Sequence, residues 1–270
     1  MGRVIAVANQ KGGVGKTTTC VNLTAALALA GKRVLLIDLD PQGNATVGCG
    51  LDRDQLEFTI EDVLMGRCQI ADAAVGAPEA GFSVIAANAN LTAAELALLD
   101  QTDREQRLRQ ALQAAVADYD YILIDCPPSL NILTVNALVA ADSVLVPVQC
   151  EYYALEGLTS LLDTIARVRE RANPRLRVQG LVRTMYSSQT RLSNQVSAQL
   201  LEHFPKQVYA TQIPRLVRLS EAPSHGRSII QYDRYSRGAL AYVALADELT
   251  SKDQLDGWSR GAAGEVRQHG

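Results

Sequence analysis

The sequence predicts an α/β fold: a doubly wound, mainly parallel sheet of seven or eight strands with helices on both faces. Three observations predict it. Short runs that are apolar on consecutive residues alternate with longer segments of helical period, the pattern of strands covered on both faces and joined by crossover helices. A glycine-rich stretch, NQKGGVGKTTT (9–19), lies directly between the first apolar run and the first helical segment. Two further runs end in aspartate, as strands do when they deliver side chains to the ligand-binding edge of an open sheet.

The strand candidates in order are RVIAVA (3–8), RVLLID (33–38), FSVIAA (82–87), YILID (121–125), SVLVPV (143–148), VQGLVRT (178–184) and VYATQI (208–213). Helical period falls on 16–30, 103–118, 130–140, 154–171, 189–203 and 236–250. Right-handed crossovers of this length keep successive strands parallel. Asn173-Pro174 stops the helix that starts near Ala154, because a proline ring disfavours helical backbone in the residue before it. No internal repeat and no Pro/Ser/Gly-rich linker divides the chain. Residues 1–250 therefore read as a single domain, and the polar, glycine-containing stretch 251–270 as a loose tail.

The bulk numbers narrow the function. With 270 residues and 47% apolar content, the chain can bury a large core. No apolar run approaches the about 18 residues of a membrane span, and the first strand begins without a charged-then-apolar leader, so a cytoplasmic protein with no membrane partner is expected. The five cysteines, Cys20, Cys49, Cys68, Cys126 and Cys150, are scattered and form no C-x-x-C pair, which argues against a disulfide framework or zinc site. Net charge is −3, yet residues 165–237 hold 13 Lys/Arg against 4 Asp/Glu. That asymmetry points to a polyanion partner for the basic part.

The glycine-rich stretch is where an α/β protein holds phosphate. Backbone N–H groups of Gly12, Gly13, Val14, Gly15 and Lys16 can point at a β-phosphate, and the positive end of the following helix adds to the field. Lys16 reaches the β- and γ-phosphates, and the Thr17 hydroxyl suits Mg²⁺. The usual loop has a glycine five residues before Gly15; here that residue is Gln10, and a second lysine, Lys11, enters the loop. On the rim, Lys11 reaches its own γ-phosphate awkwardly and a facing subunit's more easily, where an ammonium would stabilise transition-state charge. Asp38 and Asp40 end the second strand beside this loop, placed to hold Mg²⁺ through water or to orient an attacking water. Asp125, after the apolar YILI, has the Walker B arrangement and a Mg²⁺ role. No general base stands out, which predicts slow hydrolysis improved by a partner.

KGGVGKTTT resembles the deviant Walker A motif of the ParA/MinD group of P-loop ATPases. LLIDLDPQGNAT (35–46) and YILIDCPPSL (121–130) look like its second and third signatures, and VPVQCEYYALEGL (146–158) and IPRLVRLSEAPSHGRSI (213–229) look like chromosomal ParA/Soj proteins. The resemblance covers residue 3 to about 250. It implies an ATP- and Mg²⁺-dependent sandwich homodimer in which Lys11 crosses to the partner's nucleotide. It makes Lys11 to Thr18 the phosphate-binding set, with Lys16 essential there. It makes Asp40, immediately before Pro-Gln-Gly, the residue that positions the water, with Asp38 supporting the metal shell or the loop. Glu151 is implied near the dimer interface and ribose, and adenine near Met185 and Pro214. Leu216 stands where many relatives carry asparagine, which removes a side-chain hydrogen bond to the base. The resemblance also implies weak ATPase turnover stimulated by a ParB/Spo0J-type partner, and nucleoid-associated, non-specific binding of double-stranded DNA. Arg191 and Arg218 belong to the DNA patch by resemblance, and Arg183, Arg215 and Arg227 fall on loops or helix starts of the same third of the chain. Arg167, Arg169, Arg171, Arg175 and Arg177 read as solvated faces.

Three alternatives compete. A MinD-like membrane switch needs an amphipathic C-terminal helix, and DQLDGWSRGAAGEVRQHG (253–270) has no hydrophobic stripe. An iron–sulfur reductase needs paired cluster cysteines, and Cys126 has no clear mate. A P-loop kinase or ligase needs an acceptor pocket, for which the sequence offers no sign.

Overall fold

Along β1 (Arg3–Val7) every residue is buried. Val4 and Ala6 enter one core and Ile5 and Val7 the other, because successive side chains of a strand point to opposite faces. The same division holds for Leu35 and Ile37 against Leu36, and for Ile122 and Ile124 against Leu123. Consecutive apolar residues are thus the sequence signature of a sheet sandwiched between helices.

The computed structural model describes residues 2–255. After β1 the order is α1 (Lys16–Leu29), β2 (Val34–Asp38), α2 (Asn44–Gly48), α3 (Ile60–Leu64), α4 (Ile70–Ala73), β3 (Ala74–Gly76), β4 (Ser83–Ile85), α5 (Leu91–Leu99), α6 (Arg107–Ala115) and β5 (Tyr121–Asp125). Then come α7 (Ile132–Ala140), β6 (Ser143–Gln149), α8 (Ala154–Arg171), β7 (Arg177–Tyr186), α9 (Arg191–His203), β8 (Val208–Pro214), α10 (Val217–Glu221), a 3-10 turn (Ala222–His225), α11 (Ile229–Tyr232) and α12 (Arg237–Leu255). The eight strands lie in the order β3-β4-β2-β5-β1-β6-β7-β8. All neighbours are parallel except β3 and β4. One core packs α1 and α12 on the sheet; the other packs α3 to α9.

Every expected strand is present. The addition is β3, a three-residue antiparallel edge strand, too short to show a period. Helix α5 was not legible either, because its sequence, LTAAELALL, is apolar nearly all round and shows no stripe. Asn173, read as a helix stop, does more: its buried amide donates to the carbonyls of Leu138, Val139 and Ala141 at the end of α7 at 3.0, 3.2 and 2.7 Å. Orphan carbonyls of a buried helix end are thereby satisfied.

Helix α12 continues past the expected boundary at 250, to Leu255. The reason is a buried polar cluster under the sheet. Asp253 is ion-paired with the fully buried Arg3. It also accepts from Gln179 Nε2 at 3.0 Å and from the Tyr121 hydroxyl at 3.1 Å, and Arg3 donates to the Gln179 side-chain carbonyl. Burial lowers the Arg3 guanidinium to a pKa of about 10. On the same helix, Glu248 accepts from the backbone N–H of Ala210 and Thr211 at 2.8 and 3.0 Å, covering open groups of the edge strand β8. The rest of the expected tail, 256–270, lies outside the described residues.

Removing one member of a buried ion pair strands the other. Asp253→Ala is expected to cost about 3–5 kcal/mol, read as a fall in the urea midpoint at unchanged slope.

Candidate functional site

The loop between β1 and α1 leaves the sheet where β1 lies between β5 and β6. Gly13 and Gly15 have φ of 72° and 86°, a region in which a side chain costs about 1–2 kcal/mol. A Cβ added at Gly12 or Gly13 would meet nothing within 4 Å, so their backbone is open to a ligand. The loop is held from beneath. Asn9 donates from Nδ2 to the Pro147 carbonyl at 2.8 Å and accepts from the Lys11 N–H at 3.0 Å. The buried Thr184 hydroxyl donates to the Val14 carbonyl at 2.8 Å. Lys16 starts α1, is 7% exposed, and turns its ammonium into the loop, 3.2 Å from the Lys11 carbonyl. Burial pulls that ammonium below its ordinary pKa, opposed by Asp125 and Asp40.

Strand register brings the carboxylates together. Asp38 of β2 is the Cα partner of Asp125 of β5, and Asp125 of Val7 at the end of β1. Both aspartates are fully buried. The Asp38 carboxylate is spent on the chain itself: Oδ2 accepts from the N–H and hydroxyl of Thr46 at 2.8 and 2.7 Å, and Oδ1 from the Asp40 N–H at 3.1 Å. Burial still raises it to about 6. Of the two roles expected for Asp38, these three hydrogen bonds serve the loop. Asp125 differs. Neither of its oxygens has a well-formed hydrogen bond among the described residues. Burial and the nearby Asp38 push it well above the usual carboxylate range, while the Thr17 hydroxyl and Lys16 pull it back.

An orphaned buried carboxylate beside a threonine hydroxyl, with Asp40 on the adjoining loop, is an oxygen donor set that suits Mg²⁺. Among the described residues no three His, Cys, Asp or Glu side chains converge on a metal. That fits an ion completed by water and phosphate oxygens rather than a protein cage. One Asp40 oxygen accepts from the Gln42 N–H at 3.0 Å, closing the turn.

Lys11 lies on the rim, its ammonium 3.2 Å from Glu151 of the same chain, with side chains 32% and 47% exposed. Beside Glu151 the rings of Tyr152 and Tyr153 pack edge to face in the open. Met185 and Pro214 line one open crevice of about 820 Å³ together with Glu151, Arg215 and Arg237, and a smaller recess against Gly15, Thr18 and Leu216. Met185 has φ of 48°, strain that non-glycine residues rarely carry and that clusters at ligand sites. Leu216 is half buried against Gly238 at the start of α12.

The family model described as an AAA domain matches residues 2–178. The chain is 54% identical to the chromosome partitioning protein ParA of Caulobacter vibrioides, over 93% of this chain and 95% of that one. It is 51% identical to the sporulation initiation inhibitor protein Soj of Bacillus subtilis, over 93% and 99%. The chain belongs to the ParA/Soj family of partition ATPases. Its fold is similar to a solved structure of cobyrinic acid a,c-diamide synthase from Mycobacterium smegmatis with bound ATP analog and magnesium, at a TM-score of 0.83 and 40% identity over 95% and 97% of the two chains.

In this ParA/Soj-family chain the basic residues divide. Arg191 opens α9 and is exposed, as are Arg215 and Arg227. Arg215 faces the crevice, whereas Arg227 lines a separate recess with Thr17, Thr18 and Asn44. Arg218 is exposed but ion-paired with Asp233. Arg183 is not on the surface. It is 4% exposed on β7 and donates to the Ser197 hydroxyl and to the Tyr209 and Ala210 carbonyls at 2.9, 2.9 and 3.0 Å. A buried arginine with three acceptors holds strands and helix together. The five cysteines are unpaired, and Cys126 is buried. Among the described residues no helix is long and apolar enough to cross a membrane.

Sequence reasoning missed Asn9, Thr46 and Thr184. Each sits within a quoted stretch, but Pro147, Ala87 and Val14, which they respectively reach, lie outside it. Thr46 also accepts from the Ala87 N–H at 3.0 Å. Thr46→Val therefore strands the buried Ala87 N–H and leaves Asp38 Oδ2 with only the backbone donor, and is expected to cost about 1–3 kcal/mol, measured by urea denaturation.

Proposed function

We propose that this chain is an ATP-timed switch for DNA partition. ATP and Mg²⁺ bind at the loop, two copies close face to face over the nucleotides, and the closed pair binds double-stranded DNA without sequence preference. Hydrolysis, stimulated by a ParB/Spo0J-type partner, separates the pair, so the protein is nucleoid-associated only while it carries ATP. The division of labour between the two lysines carries this reading. Lys16 is turned inward and Lys11 outward, 3.2 Å from Glu151 at the surface. An inward cation serves the chain's own triphosphate; an outward one is free to serve a facing copy's.

Each residue then has a task. The N–H groups of Gly12 to Lys16 and the Lys16 ammonium bind the phosphates, with Thr18 next in α1. Asp125 and Thr17 hold Mg²⁺, directly or through water, and the ion supplies charge to the phosphate oxygens. Asp40 orients the attacking water. Lys11 from the opposite copy meets charge developing on the phosphoryl group, as an arginine finger does. Met185 and Pro214 flank the base, and Glu151, released by Lys11, faces the ribose. The exposed Tyr152, Tyr153 and Leu130 are the apolar surface that pairing would cover. Arg191, Arg215, Arg218 and Arg227 supply phosphate contacts. A rigid dimer presents two such sets, which raises affinity by effective concentration.

A ligase reading follows from the synthase to which the chain is also similar. Amide synthesis on an acyl phosphate needs an acid acceptor and an amine. The higher identity to partition proteins favours the switch.

Sedimentation with ADP, ATP and a slowly hydrolysed analogue, with and without DNA, tests the proposal. A dimer is expected with ATP and Mg²⁺ only; a species that stays monomeric with intact ATP overturns it. Lys16→Ala is expected to lose ATP binding by calorimetry. Lys11→Ala should bind ATP and remain monomeric. Asp40→Ala should dimerise on ATP and DNA while phosphate release falls at least about 100-fold, the scale of a lost transition-state contact.

A further inference from the structure

Between Glu221 and Asp247 the chain carries one acidic residue, Asp233, among Arg227, Arg234 and Arg237. That carboxylate is ion-paired with Arg218, whose side chain is 61% exposed while that of Asp233 is 19% exposed. The pair is built from both sides. The Asp233 N–H donates to the Ile229 carbonyl at 2.8 Å, and the Asp233 carbonyl accepts from the N–H and hydroxyl of Ser236 at 3.1 and 2.8 Å. His225 stacks on Tyr232 at 5.0 Å between ring centroids, fixing the 3-10 turn against α11. The carboxylate is therefore presented to Arg218 by a fixed backbone, while the guanidinium sits at the end of a long exposed stem.

We propose that Asp233 is an internal stand-in for a DNA phosphate, which any phosphate must displace before Arg218 can engage DNA. This rests on the DNA-binding reading above and adds its regulation. A carboxylate and a phosphate oxygen offer arginine the same paired acceptor geometry, so the two compete for one guanidinium. A single phosphate gains little by the exchange. A closed dimer makes this exchange twice, so the cost set by Asp233 is compounded there, while effective concentration raises the dimer's affinity enough to bear it.

The test is DNA binding by anisotropy, on duplexes of random sequence, with a slowly hydrolysed ATP analogue and with ADP across a range of salt. The variants are Asp233→Asn, Arg218→Ala and the double variant, each checked by thermal melting. Asp233→Asn is expected to bind about threefold tighter per protomer, the scale of an exposed ion pair, and about tenfold tighter as a dimer. In the Arg218→Ala background the same substitution should change nothing, because the carboxylate acts only through that arginine. If Asp233→Asn binds DNA as wild type does, or more weakly, the proposal fails while DNA binding stands. A gain that persists without Arg218 overturns it too, since bulk charge would then explain the effect. If neither wild type nor Asp233→Asn binds DNA with any nucleotide, the proposal and the DNA-binding reading fall together.

Discussion

The arrangement depends on one costly placement: the Asp125 carboxyl group, fully buried at the carboxyl end of β5 with no well-formed hydrogen bond among the described residues. A lone buried charge is unfavourable by several kcal/mol or more, about the scale of a whole domain's stability margin. Its surroundings explain how it is tolerated. The Lys16 ammonium and the Thr17 hydroxyl, both in the first turn of α1, face it, and the loop holding Lys16 is fixed by Asn9 and Thr184. The deficit left over suits a divalent cation.

The second carboxylate of the row solves the same problem differently. Asp38 satisfies its oxygens with Thr46 and the Asp40 backbone. By doing so it ties β2, the Asp40 turn and α2 into one unit. That unit meets the C-terminal segment at a close backbone contact. A Cβ at Gly226 would lie 2.6 Å from the Gly50 Cα, and both glycines have positive φ, 79° and 61° for Gly50 and Gly226. Only glycine allows two loops to pass so near. The turn that carries Asp40 and the segment that carries Arg218 and Arg227 are therefore mechanically adjacent although far apart in sequence.

At the opposite edge of the sheet the polar groups serve stability. Arg3, Asp253, Gln179 and Tyr121 anchor α12 beneath the strands, and Glu248 covers β8. Charged residues are thus sorted by strand end. At the carboxyl ends the Asp125 oxygens have no well-formed hydrogen bond among the described residues, whereas at the amino ends Arg3 and Asp253 pair with each other.

How much of this the sequence determined follows from the range of each interaction. The strands, the parallel order, and the placement of the glycine-rich loop and of Asp38, Asp40 and Asp125 beside it were legible, because apolar runs, glycine spacing and strand-end carboxylates are local patterns. Three placements were decided only by tertiary structure. Arg183 reads like Arg191 in the sequence, yet one is buried on β7 and the other exposed at the start of α9, since strand phase and the helices laid over it fix which way a side chain points. Asp253 reads as part of a polar tail, yet it is buried, because its partner Arg3 stands at the other end of the chain. Asp38 and Asp125 look alike as strand-end acids, and only Thr46, reaching across from α2, makes one a loop anchor and leaves the other open. Arg3 and Asp253 stand at opposite ends of the chain, but even where the partner is near, as Thr46 is to Asp38, burial, which sets the cost of a charge, is a property of the assembled fold.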